Sequence, residues 1–227
     1  MKTRFFIFGA SSEIAQNFLL KLNRKYEIVC VSSKKIKNKK PRIINCHTNY
    51  KTSSIEKILK KNLKKNDKNV FLFFNGISEH KAFYKIDSTE IKKIINVNLF
   101  TPILITNIII RKFFSNNINF VYFSSSRALE VDKGISMYAS TKKGIQSFVK
   151  SMALEYGNLG LNFKVISLGL LEGGLEKTIS ETTRKSIFRR SSIKKNITIG
   201  QLYNVILFAI KDKAGNGSTI KCDNGYF

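Results

Sequence analysis

A tyrosine and a lysine lie four residues apart in the stretch YASTKKG, residues 138–144. Apolar residues recur at helical spacing after them, so the stretch predicts the start of a helix. Positions i and i+4 share one helix face, so Tyr138 and Lys142 present a phenol and an ammonium to the same small volume. A nearby ammonium favours the ionised form of a phenol. A helix start with a solvated lysine explains the same spacing, so the pair alone does not decide a function.

The stretch GASSEIA, residues 9–15, is a turn of small residues between an apolar run and a helical pattern. Backbone N–H groups at such a helix N-terminus can bind a pyrophosphate. Glu13 and Ala15 stand where a strict dinucleotide fingerprint has glycine. A plain strand–turn–helix, with Ser11 or Ser12 as the cap and Glu13 favoured by the helix dipole, explains the stretch equally well.

Short apolar runs alternate with longer helical patterns along the chain, which predicts right-handed βαβ units. The strand candidates are RFFIFG, EIVCVS, RIINC, VFLFFNG, NFVYFSS, FKVISLG and STIKC, and the helix candidates lie near 12–23, 53–65, 88–114, 136–158 and 199–212. We therefore expect an α/β fold: a Rossmann-like, doubly wound parallel sheet of about seven strands with helices on both faces. Ligands of such sheets bind beyond the carboxyl ends of the strands.

Length and composition limit the class of protein. The chain has 227 residues and 43% hydrophobic content, which predicts a single domain over residues 1–227. Its three cysteines are far apart and lack C-x-x-C spacing, which argues against a disulfide framework or a zinc site. The N-terminal apolar run is too short for a signal peptide, and we expect the tract 98–114, interrupted by Pro102 and Asn107, to be too short to span a bilayer. These features predict a soluble, cytoplasmic protein without membrane insertion.

The net charge of +25 suggests nucleic acid, anionic membranes or anionic small molecules as partners. The excess lysines are spread over the whole chain. In IEKILKKNLKKNDK, residues 55–68, the apolar residues form one stripe and the lysines occupy the other positions, as on an ordinary surface helix. No nucleic-acid-binding motif accompanies the charge, so we expect no nucleic-acid partner.

Several weak motifs become specific through their order. GASSEIA follows the first predicted strand, FNGI (74–77) the fourth, INVNL (95–99) comes next, FSSS (123–126) follows the fifth, and YASTK begins thirteen residues after Ser125. LGLLEGG (168–174) and GSTIKCDNG (217–225) extend the agreement almost to the C-terminus. In this order the motifs resemble those of the short-chain dehydrogenase/reductase family.

The resemblance implies a catalytic role for each of four residues. Tyr138 would be the general acid that protonates a carbonyl oxygen as hydride arrives, or the base in the reverse direction. Lys142 would favour the ionised phenol and hydrogen-bond the nicotinamide ribose. Ser125 would hold the substrate oxygen beside Tyr138, as an oxyanion donor does, and Asn98 would hold a water in the proton relay. Apart from the resemblance, we expect Ser124 and Ser126 to be hydrogen-bonding loop serines without a catalytic role.

The resemblance also implies the binding residues. Those for the coenzyme are Gly9, Ser11, Ser12, Glu13, Ile14, Ser32, Ser33, Lys34, Asn75, Gly76, Tyr138, Lys142, Gly169 and Leu171, and those for the substrate are Ser125, Arg127 and Tyr138. An NAD site usually has an acid after strand two, but here Ser32 and Ser33 precede Lys34 and Lys35. Hydroxyls and ammonium groups suit a 2′-phosphate, so NADP(H) is expected over NAD(H).

The predicted function is NADP(H)-dependent reduction of a carbonyl to a secondary alcohol, on a 3-oxoacyl-carrier or keto-sugar substrate. The alternatives are a non-catalytic NADP(H)-binding sensor or scaffold on the same fold, and a nucleic-acid-binding protein recruited by charge. Specificity would lie after strand five and in the irregular segment 172–196, the lid segment. The basic residues of these two regions suit an anionic substrate: Arg127 and Lys133 after strand five, then Arg184, Lys185, Arg189, Arg190, Lys194 and Lys195 in the lid segment.

Two further expectations concern metals and assembly. His47 and His80 lack partners at metal-ligand spacing, so we expect no metal site and ordinary surface or loop histidines. Family members commonly pair through the helices that correspond to residues 88–114 and 136–158. A homodimer or homotetramer is therefore expected, although the apolar stretch LFTPILITNIII (99–110) also suits a buried helix of a monomer.

Overall fold

The computed structural model describes residues 1–22, 25–36, 43–129, 133–174 and 179–226. The strands are β1 (Thr3–Phe8), β2 (Glu27–Ser32), β3 (Ile43–His47), β4 (Lys68–Phe73), β5 (Ile118–Ser125), β6 (Asn162–Leu168) and β7 (Thr219–Cys222). The helices are α1 (Glu13–Lys21), α2 (Thr52–Asn62), α3 (Ser88–Ile95), α4 (Thr101–Phe113), α5 (Ser126–Leu129), α6 (Ser136–Tyr156), α7 (Glu181–Arg189) and α8 (Ile199–Lys211). A π-helical turn, Asn96–Phe100, joins α3 to α4.

The strands form one sheet in the order β3-β2-β1-β4-β5-β6-β7, and every neighbouring pair is parallel. The predicted Rossmann-like α/β fold is confirmed, and each predicted strand and helix is present within a few residues. The chain winds outward from β1 to β3 and then returns to place β4 on the other side of β1. This reversal is the position where doubly wound sheets bind ligands.

Residues on each strand alternate between two apolar layers, as the period-two geometry of a strand requires. In β1, Phe5 and Ile7 face the layer covered by α1 and α8, and Phe6 and Phe8 face the layer covered by α2, α4 and α6. Helices therefore cover both faces, so the strands are apolar on both sides.

A row of aromatic rings crosses the second layer. Phe6, Phe71, Phe120 and Phe163 are register neighbours on four adjacent strands. Their ring centroids lie 4.8, 5.3 and 4.8 Å apart, in stacked orientation. Since a shift of one residue would move each ring to the opposite face, this row helps to fix the register of the sheet.

The α3–α4 stretch bears on the expectation about a membrane span. Residues 88–113 form 26 consecutive helical residues, long and apolar enough by length and composition alone to cross a membrane. The expectation concerned the tract 98–114 alone, and the helix that contains most of this tract begins ten residues earlier, at Ser88. Ile105, Ile108 and Ile109 are buried in the apolar layer covered by α2, α4 and α6, as in the core helix of a folded domain. Pro102 lies in the first turn of α4, directly after the π-helical turn.

The lid segment was expected to be irregular, but α7 lies within it. Ser180 caps α7, because its hydroxyl accepts a hydrogen bond from the Thr183 N–H at 3.2 Å. Only Ile187 is buried on this helix. One buried residue gives little helical periodicity, which is why the apolar pattern did not reveal α7.

Candidate active site

The loops after β1, β4, β5 and β6 meet at the carboxyl edge of the sheet around a cavity of about 290 Å³. Most of the predicted site residues line it: Ser12, Glu13, Ile14, Asn75, Gly76, Ser125, Arg127, Tyr138, Lys142, Gly169 and Leu171. Residues far apart in the sequence are thus brought together where the parallel sheet predicts a ligand site.

The turn after β1 is built for close approach to β4. Gly9 has a φ of +70°, and a Cβ at this position would lie 2.6 Å from the Asn75 nitrogen. Only glycine tolerates both conditions. Ser12 caps α1 by accepting a hydrogen bond from the Ala15 N–H at 3.3 Å. The capping role considered for Ser12 is therefore present, and the same helix N-terminus borders the cavity.

Tyr50 supports this turn and was not singled out from the sequence. Its hydroxyl accepts a hydrogen bond from the Gly9 N–H at 3.1 Å and donates one to the Val31 carbonyl at 3.1 Å. The hydroxyl therefore joins the ends of β1 and β2. The backbone of Tyr50 is left-handed, with a φ of 61°. Glycine and asparagine usually occupy such positions, so composition gave no signal for this role.

Tyr138 lies in the first turn of α6, and Ser125 ends β5. A hydrogen bond joins the two side chains. Burial raises the pKa of the Tyr138 phenol above its ordinary value, while the Ser125 hydrogen bond and the Arg127 charge act against that rise. The phenol is therefore held in its protonated form at neutral pH, which is the form that can donate a proton.

Lys142 lies one turn further along α6, as the helical spacing predicts. Its Nζ donates a hydrogen bond to the Phe123 carbonyl at 2.9 Å and lies 5.5 Å from the centroid of the Tyr138 ring. Burial lowers the pKa of this ammonium to about 8. The lysine side chain is buried beside the cavity, so the solvated lysine considered from the sequence alone is not what the structure has.

Asn98 lies in the π-helical turn, buried behind the cavity. Its Oδ1 accepts a hydrogen bond from the Ile77 N–H at 2.9 Å, and its Nδ2 donates to the Ile77 carbonyl at 2.8 Å and to the Thr141 hydroxyl at 3.1 Å. The Thr141 hydroxyl in turn donates to the Tyr138 carbonyl at 2.8 Å. Asn98 thus ties the loop after β4 to the helix that carries the phenol.

The remaining coenzyme candidates lie apart from the cavity lining. Ser32 is buried at the end of β2, and its hydroxyl accepts a hydrogen bond from the Lys34 N–H at 3.1 Å. Ser33 and Lys34 are exposed beyond it, and the Ser33 carbonyl contacts the His47 ring nitrogen at 2.9 Å. Gly9 and Ser11 belong to the turn itself. The lysine-rich stretch that continues from here, residues 37–42, lies outside the described residues.

The C-terminal part of the chain contributes Tyr226, which the sequence analysis missed. Tyr226 lines the cavity, and the Arg190 guanidinium lies 4.7 Å from its ring centroid. The lid segment also pairs with this part of the chain, because the Ser192 N–H donates to the Gly225 carbonyl at 3.1 Å. Two of the basic residues predicted to bind the substrate therefore lie near the cavity: Arg127 lines it, and Arg190 contacts Tyr226, which lines it.

The loop after β4 also contributes more than expected. His80, considered an ordinary loop histidine, borders the cavity, where its Nε2 lies 3.1 Å from the Ser78 hydroxyl. Glu79, which was not singled out, is buried and contacts the first turn of α6. Within the described ranges, no group of three or more His, Cys, Asp or Glu side chains is placed to hold a metal ion.

Comparison with known proteins gives a family match and weakly similar relatives. A family model described as enoyl-(acyl carrier protein) reductase matches residues 35–227. L-xylulose reductase of Caenorhabditis elegans is 26% identical over 157 residues, covering 66% of this chain and 62% of that protein. 3-Oxoacyl-[acyl-carrier-protein] reductase of Buchnera aphidicola subsp. Baizongia pistaciae is 24% identical over 155 residues, covering 67% and 63%. The chain thus matches less than two thirds of the length of these two curated relatives.

Solved structures agree with the fold over nearly the whole chain. A 4-hydroxyisoleucine dehydrogenase complexed with NADH has a TM-score of 0.84 at 18% identity and covers 99% of this chain and 98% of its own. A structure described as ElxO with NADP bound has a TM-score of 0.85 at 19% identity and covers 100% and 99%. At this level of identity, the agreement concerns the fold.

Proposed function

Because the family model covers residues 35–227, the chain belongs to the short-chain dehydrogenase/reductase family, and we propose that it reduces a carbonyl to a secondary alcohol with NADP(H). One observation carries this proposal: Ser125, Tyr138 and Lys142 converge on one cavity. A protein that only binds the coenzyme has no need of a proton donor there. A non-catalytic sensor or scaffold that binds NADP(H) is the alternative function.

The cavity has features that suit a dinucleotide. The N-terminus of α1 borders it, and backbone N–H groups at a helix N-terminus favour anions such as pyrophosphate. The Asn75 Oδ1 is buried without a hydrogen-bond partner among the described residues, so it is available to a bound donor. Gly76 keeps the space beside the Lys142 Nζ open, since a Cβ there would lie 3.6 Å from that nitrogen.

When bound, the reduced coenzyme supplies the hydride for the carbonyl carbon. The Ser125 hydroxyl holds the carbonyl oxygen beside Tyr138, and the phenol donates its proton to that oxygen, which leaves an alcohol and a phenolate. The Lys142 ammonium stabilises the phenolate. An ordinary phenol is already protonated at neutral pH, and burial raises the pKa of the Tyr138 phenol further, so the resting enzyme holds the proton that reduction of a carbonyl requires.

NADP(H) is proposed over NAD(H) because the end of β2 offers hydroxyls and ammonium groups rather than an acid. Ser32, Ser33, Lys34 and Lys35 occupy this position. An anionic substrate is part of the same proposal, supported by Arg127 at the cavity and by Arg190 beside Tyr226. A cytoplasmic location is also proposed, because all three cysteines are free thiols.

The substitution Tyr138→Phe tests the function, because it removes only the hydroxyl. NADPH oxidation is followed with 3-oxoacyl thioesters, keto-sugars, neutral ketones and, because of the description of the family model, an enoyl thioester. We expect turnover of a carbonyl substrate to fall about 100- to 10,000-fold while NADPH affinity changes less than about threefold.

Tyr156→Phe is the matched control, since Tyr156 ends the same helix and packs in the apolar layer. It should turn over like the wild type. Turnover that survives in Tyr138→Phe would refute the assigned proton donor. A wild type that binds NADPH but reduces none of these compounds would support the sensor instead. Efficient use of neutral ketones, with kcat/KM unchanged in Arg190→Glu, would exclude the anionic substrate class.

A further inference from the structure

Glu79 is a buried carboxylate that the proposed reaction does not use. The chain has only 15 acidic residues beside 40 basic ones, and the Glu79 side chain lies in the loop after β4. The residue is 3% exposed. A buried carboxylate destabilises a fold unless hydrogen bonds compensate for its lost hydration. The partners of Glu79 therefore indicate what holds this residue in place.

Those partners are the first N–H groups of α6. The Glu79 Oε1 accepts hydrogen bonds from the Met137 N–H at 2.6 Å and from the Tyr138 N–H at 3.1 Å, and its Oε2 lies 3.1 Å from the Tyr138 nitrogen. The first N–H groups of a helix lack partners within it, and a negative charge is favourable there. Ile135, at the N-cap position, has no side chain that could accept these bonds.

The cap of α6 is therefore supplied by a loop 58 residues earlier in the chain. A second bond joins the same two segments, since the Lys81 N–H donates to the Gly134 carbonyl at 3.1 Å. The loop is in turn fixed on α3, where Lys81 forms an ion pair with Glu90 at 2.5 Å. The first turn of α6 is thus attached to the loop that follows Asn75 and Gly76.

One of the two peptide N–H groups that Glu79 holds belongs to Tyr138, the residue with the proton-donating phenol. We propose that Glu79 is a positioning residue, which fixes the backbone of Tyr138 so that its phenol stays beside Ser125 and the cavity. This inference rests on the proposed function. The loop after β4 would then support the proton transfer as well as line the cavity.

The charge of Glu79 also affects the Tyr138 phenol, in addition to the position that its hydrogen bonds give to the Tyr138 backbone. The charged and polar groups that face the phenol are Ser125 at the end of β5, Arg127 on α5, Glu79 in the loop and Lys142 on α6, with His80 next to Glu79. The negative charge of Glu79 raises the pKa of the Tyr138 phenol. Its removal should therefore lower the pH at which the phenol ionises.

Asp87 provides a matched control. Its carboxylate caps α3 by accepting a hydrogen bond from the Glu90 N–H at 2.9 Å. Both Glu79→Gln and Asp87→Asn keep an oxygen that can accept the capping hydrogen bonds but remove a negative charge that is favourable at a helix N-terminus. Only the first exchange concerns the helix that carries Tyr138.

We expect Glu79→Gln to lower turnover of the carbonyl substrate about 10- to 100-fold, with KM and NADPH affinity within about threefold of the wild type. Turnover in the reducing direction should also decline at a lower pH than in the wild type. Asp87→Asn should lower the melting temperature without changing turnover or its pH profile. Glu79→Asp keeps the charge but is one methylene shorter, so its pH profile should shift less than that of Glu79→Gln.

A second readout does not depend on catalysis. Fluorotyrosine NMR of the coenzyme-free protein, with the Tyr138 resonance assigned by its loss in Tyr138→Phe, reports ionisation of the phenol directly. We expect a lower phenol pKa in Glu79→Gln and no change in Asp87→Asn. If the wild type reduced no carbonyl, the proposed function would fail, and this titration would still decide whether Glu79 acts on the phenol.

A purely structural cap gives a different pattern. If Glu79→Gln lost as much thermal stability as Asp87→Asn but kept wild-type turnover and phenol titration, the positioning role would be overturned. Should Glu79→Gln fail to fold, Glu79→Asp carries the test. Reduced turnover with unchanged NADPH affinity would then support the role, and wild-type turnover would overturn it.

Discussion

The ammonium of Lys142 is buried, and within the described residues it donates one hydrogen bond, to the Phe123 carbonyl. Burial lowers the pKa of this group to about 8. An unfolded lysine has a pKa of about 10.4. Between these two values the unfolded chain binds more protons than the folded one, so the stability attributable to Lys142 rises with pH across this window. Below it, the buried charge destabilises the fold.

The variant Lys142→Met removes this dependence. From about pH 7 to about pH 10, we expect the free energy of unfolding of the wild type to gain about 2 kcal/mol relative to the variant. Urea denaturation without coenzyme measures both proteins at each pH. Parallel stability curves for the two proteins would show that the ammonium is not destabilised by burial.

Lys34 tests the coenzyme preference. Its backbone N–H is held by the Ser32 hydroxyl at the end of β2, so its position is fixed while its side chain stays exposed. If the ammonium contacts a 2′-phosphate, Lys34→Ala should weaken NADPH binding about threefold to tenfold and leave NADH binding unchanged.

Calorimetric titration of both coenzymes measures the effect. Lys60→Ala, on the exposed face of α2, is the control for loss of one positive charge. Tighter binding of NADH than of NADPH by the wild type would refute the preference. An equal loss for both coenzymes in Lys34→Ala would place the lysine away from the 2′-phosphate.

At the scale of elements, the turn after β1 depends on one glycine. Gly9 has a φ of +70°, and an added Cβ would meet backbone atoms of Phe74 and Asn75 at 2.8 and 2.6 Å. Backbone cannot move aside as a flexible side chain can. We expect Gly9→Ala to destabilise the fold by about 2–4 kcal/mol and to weaken coenzyme binding, because β1 and β4 must separate.

Gly200 offers the opposite case within α8. An added Cβ there meets only the Thr198 hydroxyl, at 3.7 Å, and the backbone is helical. Gly200→Ala should therefore stabilise the protein by about 0.5–1 kcal/mol. Thermal and urea denaturation of both variants check the contrast, and equal effects would contradict the strain assigned to Gly9.

The elements differ in how far the sequence predicts them. The strands follow from their short apolar runs, and α6 follows from Ile145 and Val149 at helical spacing. Tyr138 and Lys142 share a helix turn, so their meeting was predictable from spacing alone. Glu79 and Tyr50 hold backbone atoms 58 and 41 residues away, and no local pattern encodes such contacts. Tyr226 follows β7, and because β7 is parallel to β6, the residues after it lie at the same edge of the sheet as the cavity.

The whole molecule presents a strongly basic surface and some exposed apolar side chains. The +25 charge is compatible with the proposed anionic ligands, but it also predicts nonspecific attraction to nucleic acid. These two effects separate with salt. Nucleic-acid binding should weaken steeply as salt rises. Stabilisation by NADPH on heating should persist, because it depends on the cavity.

Exposed apolar side chains on two helices bear on the assembly of the whole molecule. Phe100, in the π-helical turn, is 54% exposed, and Leu154, on α6, is 85% exposed. Both lie on the helices through which we expect a second copy of the chain to bind. Burial of such side chains between copies would stabilise an oligomer by about 1.5–3 kcal/mol for each residue. We therefore expect a dimer or tetramer in solution at micromolar concentration.

Light scattering coupled to size-exclusion chromatography measures the mass. Leu154→Glu places a charge on this surface and should shift the population toward the monomer, because a buried unpaired charge destabilises an interface. Leu20→Glu, at an exposed position on α1, is the matched control and should leave the mass unchanged, since α1 is not among the pairing helices. A monomeric wild type would contradict the predicted assembly, and an equal shift in both variants would place the interface elsewhere.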